Sequence, residues 1–165
     1  MRQSSQELTP NKFVQTLTII YMALLSGLLF FVAIIFFQFD GGMTPTFDTS
    51  DTLLLVYPII AIGAVLGSQT IFKKLLTAAE SKPGLKAKLA SYQTASIIKF
   101  AIIEGPAFFG IILSMITGNT AFIAIAGVLI IYLLLQKPSR SKVESELNLR
   151  GDDRNQFNRF DEEIN

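Results

Sequence analysis

The sequence predicts an all-α polytopic membrane protein with four transmembrane helices and both termini in the cytoplasm. Half of its 165 residues are apolar and only 16% are charged, whereas a soluble domain carries about a quarter charged residues. Three long stretches contain almost no charge, residues 13–39, 52–72 and 100–136, and the third holds Glu104 alone. These stretches and the distribution of basic residues carry the prediction.

The first two spans are predicted from their length and from the residues that flank them. The first covers about residues 13–38 and follows Thr9-Pro10, which is typical of a helix cap and a first helical position. Its uncharged run is too long for a signal-peptide core of about 7–15 residues. The second span covers about residues 52–74, and Lys82-Pro83-Gly84 then breaks the helical pattern.

The third uncharged stretch must contain a turn. As one helix, its 37 residues would be about 55 Å long at about 1.5 Å per residue, against a hydrocarbon core of about 30 Å. Thr117-Gly118-Asn119-Thr120 is competent to turn, so the spans cover about residues 95–116 and 120–136. A three-span alternative puts Glu104 at the surface, lets one helix cross near residues 110–135 and moves the tail to the opposite side.

The basic residues favour four spans. All fourteen then lie on one side: two in the N-terminal segment, six between the second span and the start of the third, and six in the tail. By the positive-inside rule that side is the cytoplasm. We therefore predict a cytoplasmic segment 1–12, a membrane domain 13–136 and a cytoplasmic tail 137–165 with short amphipathic helices, in a cell (inner or plasma) membrane.

The composition excludes most catalytic chemistry. The chain has no Cys and no His, which removes thiolate nucleophiles and the commonest general base and metal ligand. It also lacks a phosphate-binding glycine loop. We therefore expect no enzyme activity, no cofactor, no metal site and no nucleic-acid partner. Asp40, Asp48 and Asp51 in the first loop are expected to be solvated.

Glu104 is the residue that needs a chemical explanation. It lies about 10 Å into the third span, at about 1.5 Å per residue. A carboxylate at that depth is costly unless it is protonated, paired or hydrated. Gly105-Pro106 follows it and predicts a helix kink with an unpaired carbonyl one turn earlier. Lys99, just inside the same span, is expected to extend its side chain to the cytoplasmic surface.

Two interpretations of Glu104 remain open. It is either a proton or cation site, or a buried hydrogen-bonded acid that fixes helix register beside the kink. If neighbouring spans are antiparallel, three polar residues lie at a comparable depth and complete the candidate ion site: Ser26, Ser68 and Gln69.

Residues 61–116 resemble the hairpin of rotary ATP synthase c subunits, the proteolipid family. The resemblance rests on small residues between Ala61 and Ser68, on the loop Ser81-Lys82-Pro83 and on Glu104-Gly105-Pro106. It implies that Glu104 is an ion-carrying carboxylate and that Gln69 is a possible co-ligand.

The sequence therefore predicts a small integral membrane protein that handles protons or cations through Glu104, in a homo-oligomer or a larger membrane complex. Its partner in either case is the lipid bilayer. The alternative is a membrane scaffold whose cytoplasmic tail binds a partner protein, because paired apolar positions on a short helix suit a groove.

Overall fold

The computed structural model describes residues 8–38, 42, 44–48 and 50–164. Asp40 and the first seven residues of the predicted N-terminal segment lie outside the described residues. The described residues form helices and no strand, as predicted for an all-α chain. The helices are α1 Pro10–Gln38, α2 Thr52–Glu80, α3 Leu85–Thr117, α4 Ala121–Leu134, α5 Arg140–Glu146 and α6 Gly151–Asn158.

Three of these helices are long and apolar enough to span a membrane: α1, α2 and α3. Helix α4 is strongly apolar but has only 14 residues. At about 1.5 Å per residue, the 29 residues of α2 and the 33 of α3 extend about 44 and 50 Å. Both lengths exceed the thickness of the hydrocarbon core, about 30 Å, so each helix is longer than one crossing requires.

Aromatic contacts show that α1 and α3 run in the same direction. Tyr21 packs against Phe100 with ring centroids 5.4 Å apart, and Phe31 packs against Phe108 at 4.5 Å. Residue numbers rise together along both helices, so α1 and α3 are parallel.

Helices α2 and α4 run in the opposite direction. Tyr57, near the start of α2, contacts Phe109 near the end of α3, whereas Phe72 contacts Tyr92 near its beginning. Tyr57 also contacts Phe122 at the start of α4. The helices therefore alternate in direction, with α3 packed against all three others.

At one end of the bundle, Asn119 links the α1–α2 loop to the α3–α4 turn by hydrogen bonds. Its amide oxygen accepts from the backbone N–H of Thr46 at 2.9 Å and from that of Ala121 at 3.0 Å, and its amide nitrogen donates to the Thr46 carbonyl at 2.8 Å. Gly118, with φ +68°, ends α3 in the left-handed conformation that glycine adopts easily. The turn predicted at residues 117–120 thus separates α3 from α4.

The opposite end of the bundle, here called the basic end, holds the start of α1, the α2–α3 connection and the tail. Ile164 donates its backbone N–H to the Leu8 carbonyl at 3.0 Å, and Asn11 donates to the Phe160 carbonyl at 3.2 Å. Lys88 of α3 forms an ion pair with Asp153 of α6 at 2.7 Å. The tail is thus folded onto the bundle. Its buried apolar residues join the main core: Val143, Leu147, Leu149, Phe157 and Ile164.

Candidate functional site

Glu104 lies on the side of α3 that faces α1. It is one turn from Phe100 and one turn from Phe108, whose rings contact Tyr21 and Phe31 of α1. Between those two contacts, α1 presents apolar side chains that include the buried Leu28. The Glu104 side chain is half-buried, and no hydrogen bond or ion pair joins it to another residue in the part of the chain that the structure describes.

The three polar residues predicted at the same depth are engaged elsewhere. Ser26 is exposed and donates to the Ala23 carbonyl at 2.9 Å. Ser68 is buried and donates to the Val65 carbonyl at 2.8 Å. Neither hydroxyl is linked to Glu104 by a hydrogen bond within the described ranges.

Gln69 points towards α4. Its amide nitrogen donates to the hydroxyl of Tyr132. This bond joins α2 to α4, whereas Glu104 faces α1. Among the described residues, the structure therefore shows no hydrogen-bonded group made of Glu104, Gln69, Ser68 and Ser26.

Helix α3 continues through Gly105 and Pro106. The Pro106 carbonyl accepts a hydrogen bond from the Tyr57 hydroxyl at 3.0 Å. The absence of a side chain at Gly110 leaves room for the Tyr57 ring, because a Cβ there would come within 2.9 Å of Tyr57 Cε1 and closer still to the hydroxyl. The segment after Glu104 is therefore a close contact between α3 and α2.

A buried ionisable side chain, Lys99, lies at the basic end. Lys99 is only 4% exposed, so the prediction that its side chain extends to the surface is wrong. Its ammonium group donates to the amide oxygen of Gln136 at 2.7 Å and lies 4.3 Å from the centroid of the Phe72 ring. Lys142 of α5 donates to the same Gln136 oxygen at 3.3 Å. The folded tail covers the ammonium group, which is why it stays buried.

Tyr92 connects this cluster to the tail. Its hydroxyl donates to the Glu146 carboxylate at 2.5 Å. Burial raises the pKa of Tyr92 well above its usual value, and the neighbouring Glu146 raises it further. A cavity of about 10 Å³ lies between Tyr92, Lys99 and Glu146, which is at the lower limit of the volume that holds one water molecule.

No sequence pattern predicted the cluster of Lys99, Gln136, Tyr92 and Glu146. Lys99 could be seen as a charge near a span end, but its partners lie on α2, after α4 and in the tail. Such contacts depend on how the tail folds back, which no local pattern indicates.

The two described carboxylates of the first loop, Asp48 and Asp51, accept hydrogen bonds from nearby backbone N–H groups. Asp51 caps α2 by accepting from the backbone N–H of Leu53 at 2.9 Å, and Asp48 accepts from the N–H of Ser50 at 2.9 Å. That bond, with a side-chain bond from Ser50, lowers the pKa of Asp48.

No family model matches the chain, and no curated protein or solved structure matches it either.

Proposed function

We propose that the chain is a four-span membrane protein with both termini in the cytoplasm, and that Glu104 is a membrane-embedded carboxyl group that takes up and releases a proton. The observation that carries the proposal is the half-buried Glu104 side chain, which has no polar partner among the described residues and lies between aromatic contacts of α1 and α3. Ionisable groups inside a membrane are expensive, and they commonly mark ion or proton pathways.

The surroundings of Glu104 favour a proton over a metal cation. Hard cations need several oxygen ligands. Ser26, Ser68 and Gln69, the side chains expected to supply such oxygens, form no hydrogen bond with Glu104 among the described residues, and Gln69 bonds to Tyr132 of α4 instead. An apolar environment instead favours the neutral acid, which needs only a proton to remove its charge. The resemblance of residues 61–116 to c subunits points to the same carboxyl group.

The four-span arrangement is supported by the alternating helix directions and by the location of the tail. Helix α4 has 14 residues, and the uncharged run continues through Leu135 and Gln136. The tail packs against the start of α1, as expected if both lie on one side of the membrane. With four crossings, every basic residue would lie on that side. The alternative, a scaffold whose tail binds a partner, is less well supported, since the tail residues Leu147, Leu149 and Phe157 already pack into the core of the same chain.

The direct test of the proposal is labelling with a hydrophobic carbodiimide. This reagent modifies protonated carboxyl groups that it reaches through the lipid. In proteoliposomes of the full chain we expect one labelled residue, Glu104, with labelling lost in Glu104→Gln. The matched control is Glu80→Gln, which removes an exposed carboxylate at the end of α2 and should leave labelling unchanged.

Proton movement is then measured with a pH-sensitive dye inside the same vesicles under an imposed membrane potential. Glu104→Gln keeps the shape of the side chain but cannot titrate, so it should abolish the flux while Glu80→Gln retains it. A Glu104→Gln protein that conducts protons as well as the unmodified chain would overturn the proposal.

Topology is tested separately with a reporter that is active only in the cytoplasm. A fusion after Asn165 should be active, and a fusion near Thr46 should be silent. An Asn165 fusion that reports the outside would favour the three-span alternative.

A further inference from the structure

A groove lies between the end of α2 and the beginning of α3, on the side of the basic end away from Glu104. It has a volume of about 210 Å³. Its floor is apolar and its rim carries two hydroxyl groups and an ammonium group. It is lined by Leu75, Ala78, Ala79, Lys82, Ser91, Thr94 and Ala95.

The groove begins at the height of the lipid headgroups and extends beyond them on the water side. A span of about 20 residues crosses the hydrocarbon core. If the spans start at Thr52 and Thr117, the ends of α2 and α3 farthest from the tail, the inner hydrocarbon boundary lies near residues 72 and 97. At about 1.5 Å per residue, Ala95 lies about 3 Å beyond that boundary, Ser91 about 9 Å and Lys82 about 15 Å. The headgroup layer is about 5–8 Å thick on each side, so Ala95 lies within it, and Ser91 and Lys82 lie on its water side.

The charge around the groove is positive and largely uncompensated. Residues 73–91 contain five lysines and one carboxylate, Glu80, and of these six charged residues Lys82 lines the groove. Lys88 is paired with Asp153. Lys82 and Lys86 are exposed, and neither forms an ion pair within the described segments.

A hydroxyl group in the groove can supply a hydrogen-bond donor for phosphate. Ser91 is half-buried in the groove, and its hydroxyl forms no hydrogen bond to another residue of the described chain. Thr94 already donates its O–H to the Ala90 carbonyl at 3.2 Å, so Ser91 is the hydroxyl group of the groove that can donate to a phosphate. Lysine ammonium groups bind phosphate as point charges, and hydroxyl donors orient it.

We infer that this groove binds the headgroup of an anionic phospholipid, with Lys82 and Lys86 attracting the phosphate and Ser91 donating to it. The cytoplasmic leaflet, where the positive-inside rule puts this end, carries the anionic lipids. The inference rests on the proposed orientation of the chain in the membrane, but it does not involve Glu104.

The test is binding of phosphatidylglycerol to the full chain in a zwitterionic detergent, with phosphatidylcholine as the reference lipid and bound lipids counted by native mass spectrometry. A basic residue near an anionic lipid contributes about fivefold in affinity. Replacing both Lys82 and Lys86 with Gln should therefore weaken phosphatidylglycerol binding at least tenfold. Arg150→Gln and Arg154→Gln together remove the same charge from the exposed tail and should change binding less than twofold.

A second pair of variants separates the groove from general charge attraction. Ala78→Leu fills the groove without changing charge and should weaken binding at least tenfold, whereas Ala124→Leu, at an exposed position of α4, should have no effect. Circular dichroism confirms that each variant is folded. Equal losses in the arginine control, or unchanged binding in Ala78→Leu, would overturn the inference. So would displacement of the lipid by glycerol 3-phosphate at millimolar concentration, which would indicate a soluble ligand. Glu104→Gln should bind the lipid normally whatever its proton flux.

Discussion

Gly110→Ala tests the packing of α2 against α3 through a single methyl group. The added Cβ would lie within 2.9 Å of Tyr57 Cε1 and nearer still to the hydroxyl end of the ring. Tyr57 is 1% exposed, so its ring has little space in which to move. The substitution therefore forces either the ring or the helix to shift.

The expected cost follows from what the Tyr57 ring contacts. The ring packs against Phe109 and Phe122 at 6.1 and 5.9 Å, and each such aromatic pair contributes about 0.5–1.5 kcal/mol. Its hydrogen bond to the Pro106 carbonyl adds about 0.6 kcal/mol, the average for membrane hydrogen bonds. If the ring is displaced, Gly110→Ala should reduce the free energy of unfolding by about 2–4 kcal/mol, at or somewhat above the usual cost of overpacking, about 1–3 kcal/mol.

The measurement is equilibrium unfolding in mixed micelles, followed by helix circular dichroism because the chain has no Trp. Gly105→Ala is the matched control, since no atom lies within 4 Å of its added Cβ. In a Tyr57→Leu background, which removes the clashing atoms, Gly110→Ala should cost far less. Equal costs for Gly110→Ala and Gly105→Ala, or the same cost in both backgrounds, would refute the packing argument.

Two further predictions concern the ends of the bundle. Asn119→Ala removes three hydrogen bonds and should cost about 1–3 kcal/mol by the same unfolding assay, whereas Thr46→Ala, which keeps its backbone bonds, should be close to neutral; equal effects would contradict the assignment. Tyr92 has a raised pKa when folded, so above about pH 10 the unfolded chain loses this proton while the folded chain keeps it, and stability falls. The advantage of the unmodified protein over Tyr92→Phe should therefore shrink as the pH rises past 10, and an advantage that grows would show the sign to be wrong.

The sequence predicted the features that depend on local signals. The all-α class is confirmed, and three long apolar helices support the membrane assignment, whereas four spans and the orientation stay predictions. The turn at Gly118 was visible because glycine and asparagine there favour a left-handed conformation. The break at Lys82-Pro83-Gly84 was predicted because proline interrupts a helix. In the structure α2 ends at Glu80 and α3 begins at Leu85.

The features that the sequence did not reveal depend on contacts between distant residues. The tail has six basic and seven acidic residues, a composition equally compatible with a solvated segment. Its attachment depends on pairs such as Lys88 with Asp153 and Tyr92 with Glu146, which lie 65 and 54 residues apart. Depth alone also grouped Gln69 with Glu104, but depth does not specify which way a side chain faces, and Gln69 binds Tyr132 instead.

Lys99 and Glu104 lie five residues apart on α3, and the fold surrounds their side chains with different neighbours. At Lys99 it supplies an amide oxygen that accepts from the ammonium group and an aromatic ring beside it. At Glu104 it supplies apolar neighbours and, within the described chain, no polar partner. Apolar surroundings disfavour the ionised form of a carboxyl group, which is the physical basis of the proposed proton exchange. This contrast on one helix is the physical reason to look for proton exchange at Glu104 and for a structural role at Lys99.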